Sequence, residues 1–107
     1  FFALPVDVKR NYLIEGSGGA RGYTAFGVET AKGAKAHDLK EFFHVGRDLP
    51  EGHAFRAHMG DNVWPDEVPG FKETFQRLYA EFDQAGLKIL RAVARFLGID
   101  EDYFTDT

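Results

Sequence analysis

The strongest constraint on this chain is a stripe of apolar residues between positions 69 and 97. Phe71, Phe75, Leu78, Phe82, Ile89, Val93 and Phe96 follow one another at steps of 4, 3, 4, 7, 4 and 3, and Gly86 occupies the place that the step of 7 skips. That spacing keeps one face of an α-helix apolar over its whole length. Pro69 stands near the start and Gly98 just past the end, as helix boundaries require. A helix over about 69–97 would be ~43 Å long at ~1.5 Å per residue. A compact chain of this size has a radius of gyration of ~13 Å and is only ~26 Å across. The helix is therefore predicted to need more to pack against than these 107 residues supply. The seven stripe residues are assigned to packing. Gly86, which costs ~1 kcal/mol relative to Ala in a helix, is read as a point of close approach by another backbone.

The residues before this helix read as shorter elements. Pro5 suits a first helical turn, so "PVDVKRNYLIE" is predicted as a helix stopped at Gly16. Residues 16–22 are a loop, "YTAFGVE" is extended, "TAKGAKAHD" is a loop, and "LKEFFHVG" is a short strand by its aromatic content. From 47 to 70 the chain is rich in Asp, Pro and Gly and is read as an irregular connection, long enough to suggest function. "DEDYF" is read as a helical turn capped by Asp100. The expected class is α+β, with 1–107 forming a single module. The chain opens on "FFALP", and its only Met is Met59. Two adjacent Phe at a terminus would be exposed without purpose, so they are expected to be the last turn of a helix whose beginning lies elsewhere, in a larger protein.

Composition narrows the function classes. Thirteen Lys and Arg against seventeen Asp and Glu give a net charge of −4, with no basic block. An electrostatic nucleic-acid footprint is not expected. Without Cys there is no disulfide, thiolate zinc site or cysteine nucleophile in these residues. There is no apolar run of membrane-spanning length and no signal-peptide pattern, and a cytoplasmic location is expected.

The glycine-rich stretch "GSGGARGYTAFG" at 16–27 invites a phosphate-loop reading, which its register opposes. Gly16 and Gly18 fit a dinucleotide fingerprint, but Arg21 stands where the third Gly belongs, and the expected helix precedes the stretch where a strand should. A Gly-Lys-Ser/Thr signature is absent. A pliable turn using positive φ is the better reading. His53, His58 and Asp61 lack the spacing of a metal site, and no His has Asp two residues on, those places holding Leu39, Gly46, Phe55 and Gly60. His44 is read as a packed strand residue. Asp66-Glu67 suits the start of the long helix, and Ser17 has no nucleophile-elbow context. No catalytic constellation is complete within the chain.

In order and spacing, "RGYTAFGVETAKG", "DLKEFFHVGR" and "NVWPDEVPGFKETFQRLYAEFDQAGLKILRAVARFLGIDEDYF" resemble the N-terminal region of 2-oxoglutarate/Fe(II)-dependent oxygenases. The isopenicillin N synthase-like group is most similar, with plant flavonoid and hormone oxygenases as cousins. The features that carry the likeness are Gly22-Tyr23, Phe42-Phe43, Asn62-Val63-Trp64-Pro65, and a long helix ending at Leu97-Gly98 before Tyr103-Phe104.

The resemblance implies an N-terminal helical and strand module that backs a jelly-roll core. In the family that core holds Fe(II) and 2-oxoglutarate through His-x-Asp, a distant His and Arg-x-Ser. None of these motifs is in this chain, so the fragment is expected to bind neither group and to be inactive alone. The intact parent is expected to be a hydroxylase, desaturase or oxidative cyclase of a small molecule. Arg21, Tyr23 and Thr24 are the residues that the resemblance assigns to the substrate side, with Thr24 in place of an aromatic. Expected partners are the jelly-roll core and a small-molecule substrate, with self-association through the stripe as a further expectation. The alternative reading is a non-enzymatic interaction module that uses the helix stripe.

Overall fold

The computed structural model describes residues 1–105. The chain divides into two compact units, one from Phe1 to Phe71 and one from Lys72 onward. Its regular elements are α1 (Val6–Arg10), β1 (Gly22–Thr24), β2 (Phe42–His44) and α2 (Phe71–Leu97). The class is α+β, with one long helix and a two-stranded sheet.

The first unit is built around aromatic rings. Phe1 lies 5.9 Å from Tyr12, 5.5 Å from Tyr23, 4.8 Å from Phe43 and 6.2 Å from Phe71 between centroids. Phe43 and Trp64 also meet Phe71, at 5.1 and 6.5 Å. All but the tilted Phe1–Phe71 pair are edge-on, and such contacts add to the area that each ring removes from water. The two Phe at "FFALP" have distinct surroundings. Residues 1–4 form a single reverse turn closed by Leu4 N–H on the Phe1 carbonyl, and Phe1 sits at the centre of the cluster while Phe2 stays half exposed.

α1 is shorter than the helix expected from 5 to 16. It begins after Pro5, carries Asp7 in its first turn and Lys9 and Arg10 in its last, and ends at Arg10. Tight turns continue only to Leu13. The physical reason is a competing partner: the Tyr12 carbonyl accepts from the Tyr23 N–H at 2.9 Å, outside any helix. β1 is thus bonded on one side to residue 12 and on the other to β2. The β1–β2 pair is antiparallel, with Gly22 opposite His44, Tyr23 opposite Phe43 and Thr24 opposite Phe42. The extended segment expected over 23–29 stops at Thr24, and Gly27, at φ 77°, turns the chain away. Residues 47–70 form neither helix nor strand and fold as successive turns, as their composition implied.

The second unit is α2 and the turns that follow it. Gly70, at φ 76°, cannot be helical, so α2 starts at Phe71, two residues later than Pro69 suggested. It ends in a Schellman motif: Gly98, at φ 69°, donates to Arg95 and Ile99 donates to Ala94. The last residues fold back along the helix through Arg91 Nε to Asp102 Oδ1 at 2.8 Å and Arg95 Nε to Glu101 Oε2 at 2.7 Å. Asp100 Oδ1 accepts from the Asp102 N–H at 2.9 Å and the Asp100 carbonyl from the Tyr103 N–H at 3.1 Å, closing a turn at the expected place. Ala94 is fully buried, whereas Phe82, Ile89 and Phe96 are 67%, 64% and 89% exposed. Leu78 and Val93 are exposed too, while Phe71 and Phe75 are half buried. The stripe read as packing surface therefore lies largely bare along the second half of α2. No helix among the described residues is long and apolar enough to cross a membrane.

Candidate functional site

The residues assigned to the substrate side lie at the junction of the glycine-rich loop and β1. The loop is a run of tight turns: Ser17 N–H and Oγ both reach the Ile14 carbonyl, and Ala20 N–H reaches Ser17. The glycines at 16, 18, 19, 22 and 27 all have positive φ. They serve backbone reversal, as the turn reading required. The loop is fastened to β2 where the His44 ring nitrogen Nδ1 meets the Gly19 carbonyl.

Gly22 is the most tightly specified of these positions. Its φ is 72°, and a Cβ there would overlap the Tyr12 carbonyl oxygen and press on Val63 and Ile14 at 3.1 and 3.3 Å. Only glycine lets β1 lie against residue 12. This gives the Gly22-Tyr23 pair a structural cause.

Arg21, Tyr23 and Thr24 have different surroundings. Tyr23 and Thr24 are buried, at 3% and 4% exposure. The Tyr23 hydroxyl donates to Glu41 Oε2, and the same carboxylate pairs with Lys9 Nζ at 2.7 Å. Lys9, itself buried, also donates to the Phe2 carbonyl at 3.4 Å. Burial, then the Glu41 hydrogen bond, pushes the Tyr23 hydroxyl up to about 12. Lys9 and then Tyr23 hold the Glu41 carboxyl below its ordinary value. A second tyrosine–carboxylate pair joins the Tyr12 hydroxyl to Glu67 Oε2 at 2.5 Å, raising the tyrosine and lowering the acid. Lys9 and Glu41 carry no signal in the sequence that would have marked them as partners.

Arg21 is only half buried and differs in kind. Its Nη1 donates to the neighbouring Ala20 carbonyl at 2.7 Å. Its Nε is shielded from solvent and has no acceptor among the described residues. The guanidinium lies against the backbone of Gly46, where any Cβ would overlap Cζ, Nη2 and Nε. Gly46 is gripped by the Asn62 amide, which accepts from the Gly46 N–H and donates to the Gly46 carbonyl, both at 2.8 Å. Asn62 Nδ2 also reaches Asp48 Oδ1 at 2.7 Å. The sequence motif at Asn62 was visible, but its link to Arg21 through Gly46 was not.

His53 and His58 lie in the turns of 47–61, which are closed by Arg56 on Asp61 at 2.9 Å. No group of three His, Asp or Glu among the described residues could hold a metal ion.

Comparison with known proteins agrees with this architecture. Residues 1–67 match the family described as the N-terminal region of non-haem dioxygenases in morphine synthesis. A crystal structure of a Caulobacter crescentus protein assigned to the 2OG-Fe(II) oxygenase family superposes with a TM-score of 0.86 and 57% identity, over 99% of this chain and 34% of that one. A full-length Neurospora crassa protein, solved in complex with alpha-KG, gives a TM-score of 0.74 and 32% identity, over 97% of this chain and 32% of that one. The 2-oxoglutarate-dependent dioxygenase caaD of Aspergillus niger is 38% identical over 91% of this chain and 29% of its own length. The chain spans about a third of the length of the relatives it matches. It belongs to the non-haem, 2-oxoglutarate-dependent dioxygenase family and corresponds to that family's N-terminal region.

Proposed function

We propose that this chain is the N-terminal part of a non-haem Fe(II), 2-oxoglutarate-dependent oxygenase acting on a small molecule, of the hydroxylase, desaturase or oxidative cyclase class. The observation that carries this is the family match over residues 1–67, extended through α2 by solved relatives that cover almost the whole chain. The described residues offer no group of three His, Asp or Glu that could hold the metal this family uses. On this reading the ligands of Fe(II) and 2-oxoglutarate belong to a jelly-roll core, and no chemical step is assigned to the residues here. The bare stripe of α2 at Phe82, Ile89 and Phe96 is the surface that such a core would cover.

Arg21 is the substrate-side contact. It holds a permanent charge and is only half buried, which suits an anionic group, most simply a carboxylate. Tyr23 and Thr24, buried in β1, support that contact by fixing the strand that Arg21 adjoins.

The test is conversion of 2-oxoglutarate to succinate by the intact protein, with Fe(II) and dioxygen supplied. Iron-dependent succinate formation is expected; its absence from folded, iron-loaded protein would sink the reading. The rival, a non-enzymatic module that binds a partner through the same stripe, is favoured by the exposure of Phe96. It predicts a gene with no His-x-Asp and Arg-x-Ser region after Thr107.

A further inference from the structure

We infer that Gly46 is a positioning residue for Arg21, forming with Asn62 a side-chain-free seat that fixes the guanidinium plane. This rests on the reading that Arg21 faces the substrate. Two observations carry it. The three atoms that a Cβ at Gly46 would meet first all belong to the Arg21 guanidinium. Gly46 is also not a glycine for backbone reasons, since it is absent from the positive-φ glycines. A side chain there would have to displace the guanidinium that lies on it.

Asn62 completes the device. A single amide bonds both the N–H and the carbonyl of Gly46, at 2.8 Å each, which fixes the tilt of the peptide surface on which the guanidinium rests. The same amide is tied to Asp48, so it is itself oriented. The arrangement leaves Arg21 Nε shielded and held, with its Nη1 turned to Ala20. A long, flexible side chain is thereby pre-organised, which limits the ordering cost when an anionic group is bound. Selectivity for that group would depend on two residues that need not touch it.

The test uses the intact protein labelled with 15Nε-arginine, with the Arg21 Nε–H signal assigned by its loss in Arg21→Lys. In Gly46→Ala the signal is expected to exchange with water faster by roughly tenfold or more, as a shielded group is released. An Arg21 signal as protected as in the wild type would overturn the inference. Asn62→Ala is expected to move the signal in the same direction by a smaller factor. A double-mutant cycle guards against a folding defect: Gly46→Ala should lower the melting temperature in the Arg21 background and have no effect in Arg21→Ala. Equal losses in both backgrounds would equally overturn it. Acetate serves as the probe for the parent reading. Failure of acetate to shift the wild-type Arg21 signal would count against Arg21 as the substrate contact while leaving the seat intact.

Discussion

Replacing Gly22 by Ala separates two costs that the fold imposes at one position. The backbone there has φ 72°, a conformation that costs an L-residue ~1–2 kcal/mol. The new Cβ would also overlap the Tyr12 carbonyl oxygen, so β1 and residue 12 must part and the 2.9 Å bond from the Tyr23 N–H is lost. An unsatisfied buried backbone group costs ~1–3 kcal/mol, giving a combined loss of ~2–5 kcal/mol. Gly27 supplies the control. Its φ is 77°, but a Cβ there meets nothing within 4 Å, so Gly27→Ala should cost only the backbone share of ~1–2 kcal/mol. Equilibrium urea unfolding of the two variants reads the difference directly. With a slope of ~1–3 kcal/mol per molar urea, the midpoint of Gly22→Ala should fall by about 1 M more than that of Gly27→Ala. Equal midpoints would refute the claim that close approach to residue 12, rather than φ alone, requires glycine beside Tyr23.

Three further outcomes rest on other contacts of the fold. The folded-state pKa of Glu41 lies below its ordinary value of 4.5, chiefly through Lys9. Its pairing therefore stabilises the fold fully above that pH, and the stabilisation is lost as pH falls through the lower, folded value. Melting temperature should accordingly fall more steeply below pH ~4.5 in the wild type than in Glu41→Gln; parallel curves would contradict the pairing. Tyr23 gives the complementary arm. Its folded pKa is raised from 10.0 to about 12, so its contribution is intact below 10.0 and disappears as pH rises through the folded value. Ultraviolet titration should show one tyrosine ionising that late, and Glu41→Gln should bring it earlier. Gly86→Ala should stabilise the isolated chain by ~1 kcal/mol, because a Cβ there meets nothing within 4 Å. The same change in the intact protein should lose that gain if another backbone approaches α2 there; thermal unfolding of both forms is the comparison.

What could be read from the sequence depended on how far apart the interacting residues lie along the chain. α2 was legible because its signal is periodic and local: seven apolar residues on one face, with Gly98 as a stop that forms a Schellman motif. β2 was legible from three residues of aromatic character, and the role of the glycines from register alone. The errors came where a distant partner decided a local outcome. α1 was expected to run on to Gly16, since nothing nearby shows that the Tyr12 carbonyl is claimed by Tyr23, eleven residues later. The packing of Phe1 was equally hidden, because the rings that surround it come from positions 12, 23, 43 and 71. The candidate site shows the same limit most sharply. Arg21 was named from its place beside Gly22-Tyr23, but its neighbours Gly46 and Asn62 are 25 and 41 residues further on. A glycine with an ordinary φ gives no turn signal, and an asparagine in a loop gives no contact signal. Such a position is informative only once the guanidinium that occupies its empty side is seen, so the residues that orient a binding group are harder to read than the group itself.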